Sequence, residues 1–512
     1  MIISYDLGTG GNKASLFDDD GVVITSVFES YETFYPAVGW HEQRPADWWG
    51  AVVRSTNRLL AAAKERGISA GQISCLAISG HSLGCVPLGA GGELLRAATP
   101  IWSDRRADVE AARFFESFNQ DEWYLRTGNG FPAAHYTLFK ILWYKNNEPD
   151  LFARIDKIIG TKDYINYRMT GVIATDFSYA SGLGAYNLVD WNYDDELISL
   201  SGLPAALFPA IVPSTQVLGE LTSAAALELG LSQKTLVIAG GVDNSCMALG
   251  AGSFVSGRLY ASFGSSSWIA VSDTKPLLNP QAKPYVFTHV APEQFVSALS
   301  IFASGTTFRW IRDQICIDLK MQAEKDQCDV YELMINEAGK SSIGAGGVLF
   351  NPSLGGGTPL DGVDIRGAFL GLDLSHTRAD LIRAVMEGIA LNLRVVLDAF
   401  RELTNVSGEM NIVGGGAKSE FWRQIYADAL LIDIVKINIG QDAAALGAAA
   451  LAAVGSGLWN NFEKIDNILN TEDKKYPKKQ NAEIYNKLLK QFKQDATFLA
   501  KRTQILITTK NF

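Results

Sequence analysis

The chain has 512 residues and carries 45 Lys and Arg against 55 Asp and Glu, a formal net charge of −10. An acidic chain without a long basic run is a poor candidate for binding nucleic acid or an anionic membrane surface. With 47% apolar and 20% charged residues, the composition is that of a globular protein, and the length allows two to four domains.

The cysteines and the apolar runs bear on the compartment. The five cysteines are scattered and never in CxxC spacing, which favours a reducing compartment over a disulfide framework or a structural zinc site. The longest apolar run, residues 443–454, is too short to span a membrane, and residues 1–6 begin a strand rather than a signal peptide. We therefore expect a cytoplasmic protein.

The N-terminal segment alternates strand patterns with glycine turns. Strands are predicted at residues 2–6, 13–17, 22–29 and 73–79. A helix is predicted at residues 46–66, with Pro45 at its start and Gly67 at its end. This order predicts an α/β fold in which helices cover a mixed sheet.

A similar opening recurs in the second half. Strands are predicted at residues 258–263 and 268–271, and the turn between them places Gly264 half the chain length after Gly8. Glycine turns between strands are common, but the position of this one after the glycine-rich joint at residues 240–252 favours two similarly built halves. We predict an N-terminal domain at 1–251, a C-terminal domain at 252–455 and a helical tail at 456–512.

Three glycine-rich turns are candidates for binding phosphate, at residues 8–11, 264–267 and 414–416. Backbone N–H groups in such turns point together, and the small residues let a phosphate approach. The third turn precedes a helix predicted at residues 420–430, with Ser419 as its cap. Each turn alone is more often a hairpin turn or a helix cap, whereas three such turns at strand ends favour a nucleotide site.

Two common nucleotide motifs are excluded. Met334 stands where a P-loop ending at residues 339–341 needs its earlier glycine, and Lys13 stands where a dinucleotide fingerprint needs its third glycine. What remains is a phosphate-binding hairpin of the kind used by the actin-like ATPase fold.

Three aspartates lie at predicted strand ends. Asp6 could hold Mg²⁺ against nucleotide phosphates, or could simply form the turn. Asp243 could accept the proton of an attacking hydroxyl, or could cap the helix that follows. Asp104 could accept hydrogen bonds from sugar hydroxyls, or could cap a helix beginning near Ala107.

With these residues in place, the chain resembles the FGGY family of carbohydrate kinases, and within it the xylulokinase branch, from residue 2 to about 455. The segments that match the family's C-terminal signature are residues 367–372, 380–381 and 384–387. Thr137, Lys140 and Trp143 fit the N-terminal signature, from which His135 and Tyr144 depart. Further similarity lies at residues 39–43, 48–49, 162–164, 169–171 and 414–422.

The resemblance implies two actin-like (ribonuclease H-like) ATPase domains hinged around a central cleft, with the sugar in the first and ATP·Mg²⁺ mainly in the second. It places the catalytic base at Asp243 and the metal-proximal carboxylate at Asp6. The ATP-binding residues it implies are Thr9, Gly10, Lys13, Gly264, Ser265, Gly305, Arg309, Gly416 and Glu420. The sugar-binding residues expected on this basis are His81, Ser82, Asp104 and Asp243.

Two segments depart from the xylulokinase pattern. Residues 79–84 read Ser-Gly-His-Ser-Leu-Gly, where that branch has Gln-Met-His after the first glycine. Residues 355–359 read Gly-Gly-Gly-Thr-Pro in place of Gly-Glu-Arg-Thr-Pro. Both leave the kinase interpretation intact and weaken the assignment of D-xylulose, because single polar contacts decide sugar specificity.

The sequence therefore predicts an ATP-dependent kinase that phosphorylates a primary hydroxyl of a ketopentose such as D-xylulose. One alternative is a kinase for another sugar or polyol, such as ribulose or erythritol. The other is an actin-like ATPase or a nucleotide-sensing regulator without sugar kinase activity. The expected partner is a small sugar or polyol, with no nucleic acid or membrane, and a homodimer is left open.

Overall fold

The structure is a computed structural model that describes residues 1–354 and 365–508. The glycine-rich segment at 355–359, the second departure from the xylulokinase pattern, lies outside these residues. Within the described residues, no helix combines the length and the apolar character needed to cross a membrane.

The strands are short and numerous. In chain order they are β1 (Ile2–Gly8), β2 (Gly11–Phe17), β3 (Val23–Ser30), β4 (Glu42–Gln43), β5 (Cys75–Gly80), β6 (Val86–Leu88), β7 (Thr99–Pro100), β8 (Lys157–Ile159), β9 (Ala174–Asp176), β10 (Tyr186–Asn187), β11 (Asn192–Tyr193), β12 (Ala210–Val212), β13 (Val217–Glu220), β14 (Leu236–Ile238), β15 (Gly241–Val242), β16 (Leu259–Phe263), β17 (Ser267–Asp273), β18 (Tyr285–Thr288), β19 (Phe295–Ile301), β20 (Leu349–Asn351), β21 (Ala368–Leu370), β22 (Glu409–Val413), β23 (Asp433–Ile437) and β24 (Thr471–Lys475).

Helices lie between the strands and after them. They are α1 (Pro45–Lys64), α2 (Asp108–Phe114), α3 (Gln120–Thr127), α4 (Thr137–Asn147), α5 (Pro149–Phe152), α6 (Thr161–Thr170), α7 (Phe177–Ala180), α8 (Asp195–Ser201), α9 (Ser223–Leu229), α10 (Asp243–Gly250), α11 (Gly305–Gln314), α12 (Ile317–Asp326), α13 (Val330–Ala338), α14 (Arg378–Leu403), α15 (Glu420–Leu430), α16 (Ala443–Gly455), α17 (Lys464–Ile468) and α18 (Lys479–Thr508). The strands and helices predicted for the first eighty residues are thereby confirmed, as is the helix at 420–430.

The chain folds into two compact units. The first consists of Met1–Ser256, Ser272–Ser297 and Asp442–Leu469, and the second of Gly257–Val271, Ala298–Gln441 and the residues from Asn470 onward. The domain boundaries at 251 and 455 stay predictions.

The main sheet of the first unit runs β13-β14-β5-β1-β2-β3, and β15 also pairs with β5. Strand β1 is antiparallel to β2 and parallel to β5. Helix α1 covers this sheet because Trp48, Val52 and Leu59 recur at helical spacing and are fully buried. The alanine-rich α16 packs on β1 and β5, so the apolar run at 443–454 is core of this unit.

The sheet of the second unit repeats this arrangement. Strand β16 is antiparallel to β17 and parallel to β22, which is parallel to β23. The repeated hairpin that the sequence indicates at Gly8 and Gly264 is therefore present as β1–β2 and β16–β17.

The tail that the sequence predicts as helical also contains a strand, β24, which pairs antiparallel with β23. Its residues, Thr-Glu-Asp-Lys-Lys, lack the apolar alternation that predicts a strand. Charge pairs across the sheet hold it instead, since Lys474 contacts Asp433 and Glu472 contacts Lys436.

The C-terminal signature residues are structural. Asp380 caps α14 by accepting the N–H of Thr377 at 2.8 Å. The buried Glu387 accepts the N–H of Gly344 at 3.1 Å and the hydroxyl of Tyr485 at 3.1 Å. This part of the signature therefore fixes α14 to a neighbouring loop and to α18.

Candidate active site

Three parallel strand ends in the first unit bring together residues that are far apart in sequence. Leu7 of β1 and Val242 of β15 both pair with Gly80 of β5. The next residue, His81, donates its backbone N–H to the carbonyl of Leu7 at 3.0 Å. Asp6, His81 and Asp243 thus lie at one edge of the sheet, where ligands of open α/β sheets commonly bind.

Asp243 is the first residue of α10 and is half-buried. Its Oδ1 accepts the N–H of Asn244 at 2.8 Å, but the N-cap residue of α10 is Val242. The helix-cap alternative is therefore wrong. Burial and the negative charge of Asp6 raise the pKa of Asp243 to about 7.

Asp6 is the second carboxylate at this edge. Burial, with a contribution from Asp442, raises the pKa of Asp6 to about 6, against the opposing effect of Lys13. Lys13 forms an ion pair with Asp442, which directly precedes α16. The hairpin lysine predicted to bind phosphate is thus held beside Asp6 by a carboxylate that sequence reasoning missed.

Side chains from other segments of the chain form hydrogen bonds to the turn of the β1–β2 hairpin. Gln43 donates to the carbonyl of Thr9 at 2.7 Å, and Trp102 donates to the Thr9 hydroxyl at 2.8 Å. Gly10 is exposed, and a Cβ added there would meet open space. One role of the family-like segment at residues 39–43 is therefore to stabilise the β1–β2 hairpin, through Gln43.

The loop after β5 contains the predicted sugar contacts. His81 is 1% exposed, Ser82 is buried, and the His81 ring lies edge-on to Trp48. Within the described part of the chain, neither ring nitrogen of His81 has a hydrogen-bond partner. Burial, and to a smaller extent the Lys140 cation, lowers the pKa of His81 to about 4. The ring is therefore neutral at physiological pH, with one donor and one acceptor nitrogen.

Asp104 is fully buried and forms hydrogen bonds on both carboxylate oxygens. It accepts from the backbone N–H, Nε and Nη2 of Arg106 at 2.8–3.0 Å and from the N–H of His41 at 2.7 Å. Helix α2 begins at Asp108 with Ala107 as its N-cap, so the capping alternative for Asp104 is wrong. These four hydrogen bonds use the acceptor capacity of both carboxylate oxygens. The geometry therefore favours a role for Asp104 in orienting Arg106 over a direct contact with a sugar.

A cavity of about 1220 Å³ lies in the second unit. All six residues of this half that were predicted to bind ATP line it: Gly264, Ser265, Gly305, Arg309, Gly416 and Glu420. They come from the β16–β17 hairpin, from α11, from the turn before α15 and from the first residue of α15. The tertiary fold thus gathers the predicted residues of this half around one cavity large enough for a nucleotide.

The second hairpin packs tightly on α11. The carbonyls of Gly264 and Ser265 accept the N–H groups of Gly305 and Thr306 at 3.1 and 3.0 Å. A Cβ at Gly305 would lie 2.4 Å from the Gly264 oxygen, so only glycine allows this approach.

The two glycines of the turn before α15, Gly415 and Gly416, have different surroundings. A Cβ at Gly416 would lie 2.8 Å from the Cβ of Phe263, whereas one at Gly415 would meet nothing within 4 Å. Both glycines line the cavity. Ser419 caps α15 as predicted, by accepting the N–H of Trp422 at 3.2 Å.

Sequence reasoning missed an aromatic wall of the cavity. Phe263 stacks on Tyr426 at 4.2 Å between ring centroids, and Trp422 stacks on Tyr426 at 5.8 Å. All three rings are buried, so they form the packed floor of the cavity. The spacing of Trp422 and Tyr426 on an amphipathic helix was the available signal. Lys475, from the predicted tail, also lines the cavity and forms an ion pair with Glu420.

Comparison with known proteins defines the family. The model of the FGGY family of carbohydrate kinases matches residues 1–250 with its N-terminal domain and 259–456 with its C-terminal domain. The chain belongs to this FGGY family.

Similar proteins support this membership over nearly the whole length. The xylulose kinase of Bacillus subtilis (strain 168) is 31% identical over 494 residues, which cover 96% of each chain. Two solved structures from Lactobacillus acidophilus, each 26% identical and covering 98% of both chains, are a ligand-bound xylulose kinase with a TM-score of 0.89 and a gluconate kinase with a TM-score of 0.88.

The predicted family, fold class and enzyme class are confirmed. The chain has the two-domain FGGY fold of mixed sheets and helices, an actin-like ATPase fold, and it is an ATP-dependent carbohydrate kinase. Relatives named for xylulose and for gluconate are about equally similar in structure, so likeness alone leaves the substrate open.

Proposed function

We propose that this FGGY kinase phosphorylates a primary hydroxyl of a ketopentose such as D-xylulose, in carbohydrate catabolism. The observation that carries the proposal is the Asp243 carboxyl at the ends of parallel strands, with a pKa raised to about 7. The xylulose kinase names of several relatives support the substrate class.

In the proposed reaction, the sugar hydroxyl oxygen attacks the γ-phosphorus of ATP, and the bond from that phosphorus to the β-phosphate oxygen breaks. Asp243 accepts the hydroxyl proton as the new P–O bond forms, and ADP leaves. A base with a pKa near the working pH is well suited to this transfer. Most of the acceleration in phosphoryl transfer comes from positioning and charge neutralisation.

For sugar binding, we propose direct contacts from His81 and Ser82. The buried, unpartnered ring nitrogens of His81 support this role, because a hydroxyl can both donate to and accept from a neutral imidazole. Asp104, for which a sugar contact was predicted, would act through Arg106, whose guanidinium it binds.

For ATP, we propose that Thr9, Gly10 and Lys13 contact phosphate oxygens and that the second-unit cavity binds the nucleotide through its six predicted residues. The volume of about 1220 Å³ supports this assignment.

We also propose a Mg²⁺ ion beside Asp6. The residues fit, since two carboxylates, Asp6 and Asp442, lie close together and oxygen donors suit this cation. Bound Mg²⁺ would supply neutralisation of phosphate charge. Asp6 would hold it directly or through water.

Another polyhydroxylated substrate is the second candidate. The loop at residues 81–83 departs from the xylulokinase pattern, and a gluconate kinase is among the similar structures. Gluconate, ribulose and erythritol are therefore included in the test. Membership in a carbohydrate kinase family favours all of these over the sugar-independent ATPase.

The test is a panel of D-xylulose, ribulose, erythritol and gluconate, assayed by ADP release with the purified chain. The highest kcat/KM for D-xylulose supports the proposal. A higher value for another compound reassigns the substrate, and ADP release independent of every compound contradicts a sugar kinase. The cytoplasmic location and the homodimer that the sequence leaves open stay predictions.

A further inference from the structure

The loop at residues 81–85 is held through its backbone by buried side chains. At its start, the hydroxyls of Thr161 and Tyr179 donate to the carbonyl of His81 at 2.7 and 3.1 Å. Tyr179 also accepts the N–H of Gly84 at 3.2 Å. These residues come from the first turn of α6 and from α7.

Helix α4 binds the other carbonyls of this loop from one face. Its three donors are spaced three and four residues apart, which places them on one side of a helix. The bonds run from Lys140 Nζ to Leu83 at 3.0 Å, from Thr137 Oγ1 to Gly84 at 3.2 Å and from the Tyr144 hydroxyl to Cys85 at 3.2 Å.

Lys140 makes a second bond, to the carbonyl of Ile101 at 2.7 Å. It therefore ties the loop to the segment that leads into Asp104. The side chain is fully buried, and its two hydrogen bonds in the described residues are to neutral carbonyls. Burial lowers the pKa of Lys140 to about 8. Burying an ammonium group costs free energy that an apolar side chain would avoid, so the contribution of the lysine here is its two hydrogen bonds to buried carbonyls.

Leu83, whose carbonyl Lys140 binds, has a strained backbone. Its φ of 58° lies in the left-handed region, which costs free energy in a residue with a Cβ. Such strain persists only where the surroundings enforce it, and it is common at functional sites. The hydrogen bonds from Lys140 to Leu83 and from Thr137 to Gly84 lie directly at this strained residue.

We infer that Lys140 is a positioning residue for the sugar: it holds Leu83 in the left-handed conformation and thereby presents His81 and Ser82 to the substrate. This inference rests on the proposed sugar role of the loop. On this inference, Lys140 of the N-terminal signature contributes to recognition of a polyhydroxylated substrate indirectly, by holding the loop, and does not contact the substrate.

The experiment is a double-mutant cycle of Lys140→Met and Leu83→Gly, with KM for the sugar, KM for ATP and Tm measured for each form. Methionine keeps the volume of the lysine and removes both donors. We expect Lys140→Met to raise the sugar KM about tenfold and to leave the ATP KM within about twofold. Because glycine adopts a positive φ without penalty, the same change in the Leu83→Gly background should raise the sugar KM less than about threefold.

Two controls come from the same helix. Lys145→Met removes a lysine that donates to the backbone carbonyl of Gly202, far from the loop in sequence, and should leave both KM values unchanged. Ile141→Val reduces a fully buried side chain and should lower Tm without changing the sugar KM. If Lys140→Met does not fold, Thr137→Val and Tyr144→Phe remove the neighbouring donors, and the same rise in sugar KM alone is expected from them.

The outcomes separate this inference from the proposed function. A selective rise in sugar KM that Leu83→Gly reduces supports it. Equal losses for sugar and ATP, or a lower Tm with unchanged KM values, overturn it. His81→Ala decides the underlying site: if it raises the sugar KM while Lys140→Met does not, the loop binds sugar and Lys140 is only structural. If neither raises it, both the sugar role of the loop and the positioning role are wrong.

Discussion

The backbone N–H of His81 donates to the carbonyl of Leu7 at 3.0 Å, which joins the first residue of the substrate loop to the strand that carries Asp6. The same loop follows Gly80, which pairs with Val242, the residue before Asp243. The proposed base, metal-proximal carboxylate and sugar contact are therefore positioned by one hydrogen-bonded sheet edge. Rigid strand ends of this kind hold reacting groups at fixed distances, as phosphoryl transfer requires.

The first prediction concerns Asp243 as the base. Asp243→Asn keeps the shape of the side chain but cannot accept a proton, so sugar phosphorylation should fall by about 10²–10⁴-fold while ATP binding is retained. Steady-state ADP release and nucleotide titration measure the two properties. Asp190→Asn, on an exposed turn, is the matched control and should turn over normally. Near-parental turnover of Asp243→Asn would remove Asp243 from this role.

The second prediction concerns stability and pH. The folded-state pKa of Asp243 is raised from 3.8 to about 7, so between these two pH values the folded chain keeps a proton that the unfolded chain has lost, and stability falls as pH rises. The destabilisation is small at pH 4, grows up to about pH 7 and stays constant above it. In the absence of Mg²⁺, Asp243→Asn should therefore be more stable than the parent by about 1–4 kcal/mol at pH 8 and nearly equal at pH 4.

Urea unfolding at both pH values measures this difference. Asp190→Asn again serves as the control and should show the same stability as the parent at each pH. A stability gain for Asp243→Asn that is as large at pH 4 as at pH 8 would mean that buried charge is not its cause.

The third prediction concerns the nucleotide cavity. Gly415→Val places a branched side chain in open space at the cavity wall, so it should raise the ATP KM about tenfold or more and leave the sugar KM nearly unchanged. Gly416 is a poorer test, because its added Cβ would press on Phe263 and disturb the hairpin. Gly408→Val, with equally open surroundings outside the cavity, is the control. If Gly415→Val folds and its ATP KM is unchanged, the turn does not bind nucleotide and only connects β22 to α15.

The fourth prediction concerns sugar choice. Ser82→Met with Leu83→His restores the xylulokinase pattern, and histidine tolerates the left-handed backbone at residue 83 better than most residues. The double variant should raise kcat/KM for D-xylulose relative to the best other substrate in the panel, since buried hydroxyls need matching partners. ADP release across the panel measures the ranking. Identical rankings for the parent and the variant would show that this loop does not choose the sugar.

Local sequence patterns were sufficient to predict the strand hairpins and the amphipathic helices. Glycine turns between short apolar strands predicted both hairpins, and helical spacing predicted α1 and α15. The sequence also predicted Asp6 and Asp243 at strand ends, whereas the pairing of both strands beside Gly80 of β5 appears only in the structure.

The hydrogen-bond and ion-pair partners of the polar side chains depend on packing in three dimensions. In the sequence, Asp104 and Lys13 were both candidates for ligand contacts. In the structure, the Asp104 carboxylate accepts hydrogen bonds from Arg106 and His41, and Lys13 forms an ion pair with Asp442. Strand β24 has no apolar alternation that would predict it from the sequence. Ion pairs with the neighbouring strand β23 stabilise it instead. The carbonyls that Lys140 binds belong to segments some forty and sixty residues away, and carbonyls carry no signal in a sequence. Long-range hydrogen bonds are chosen by packing, and for that reason local patterns did not reveal them.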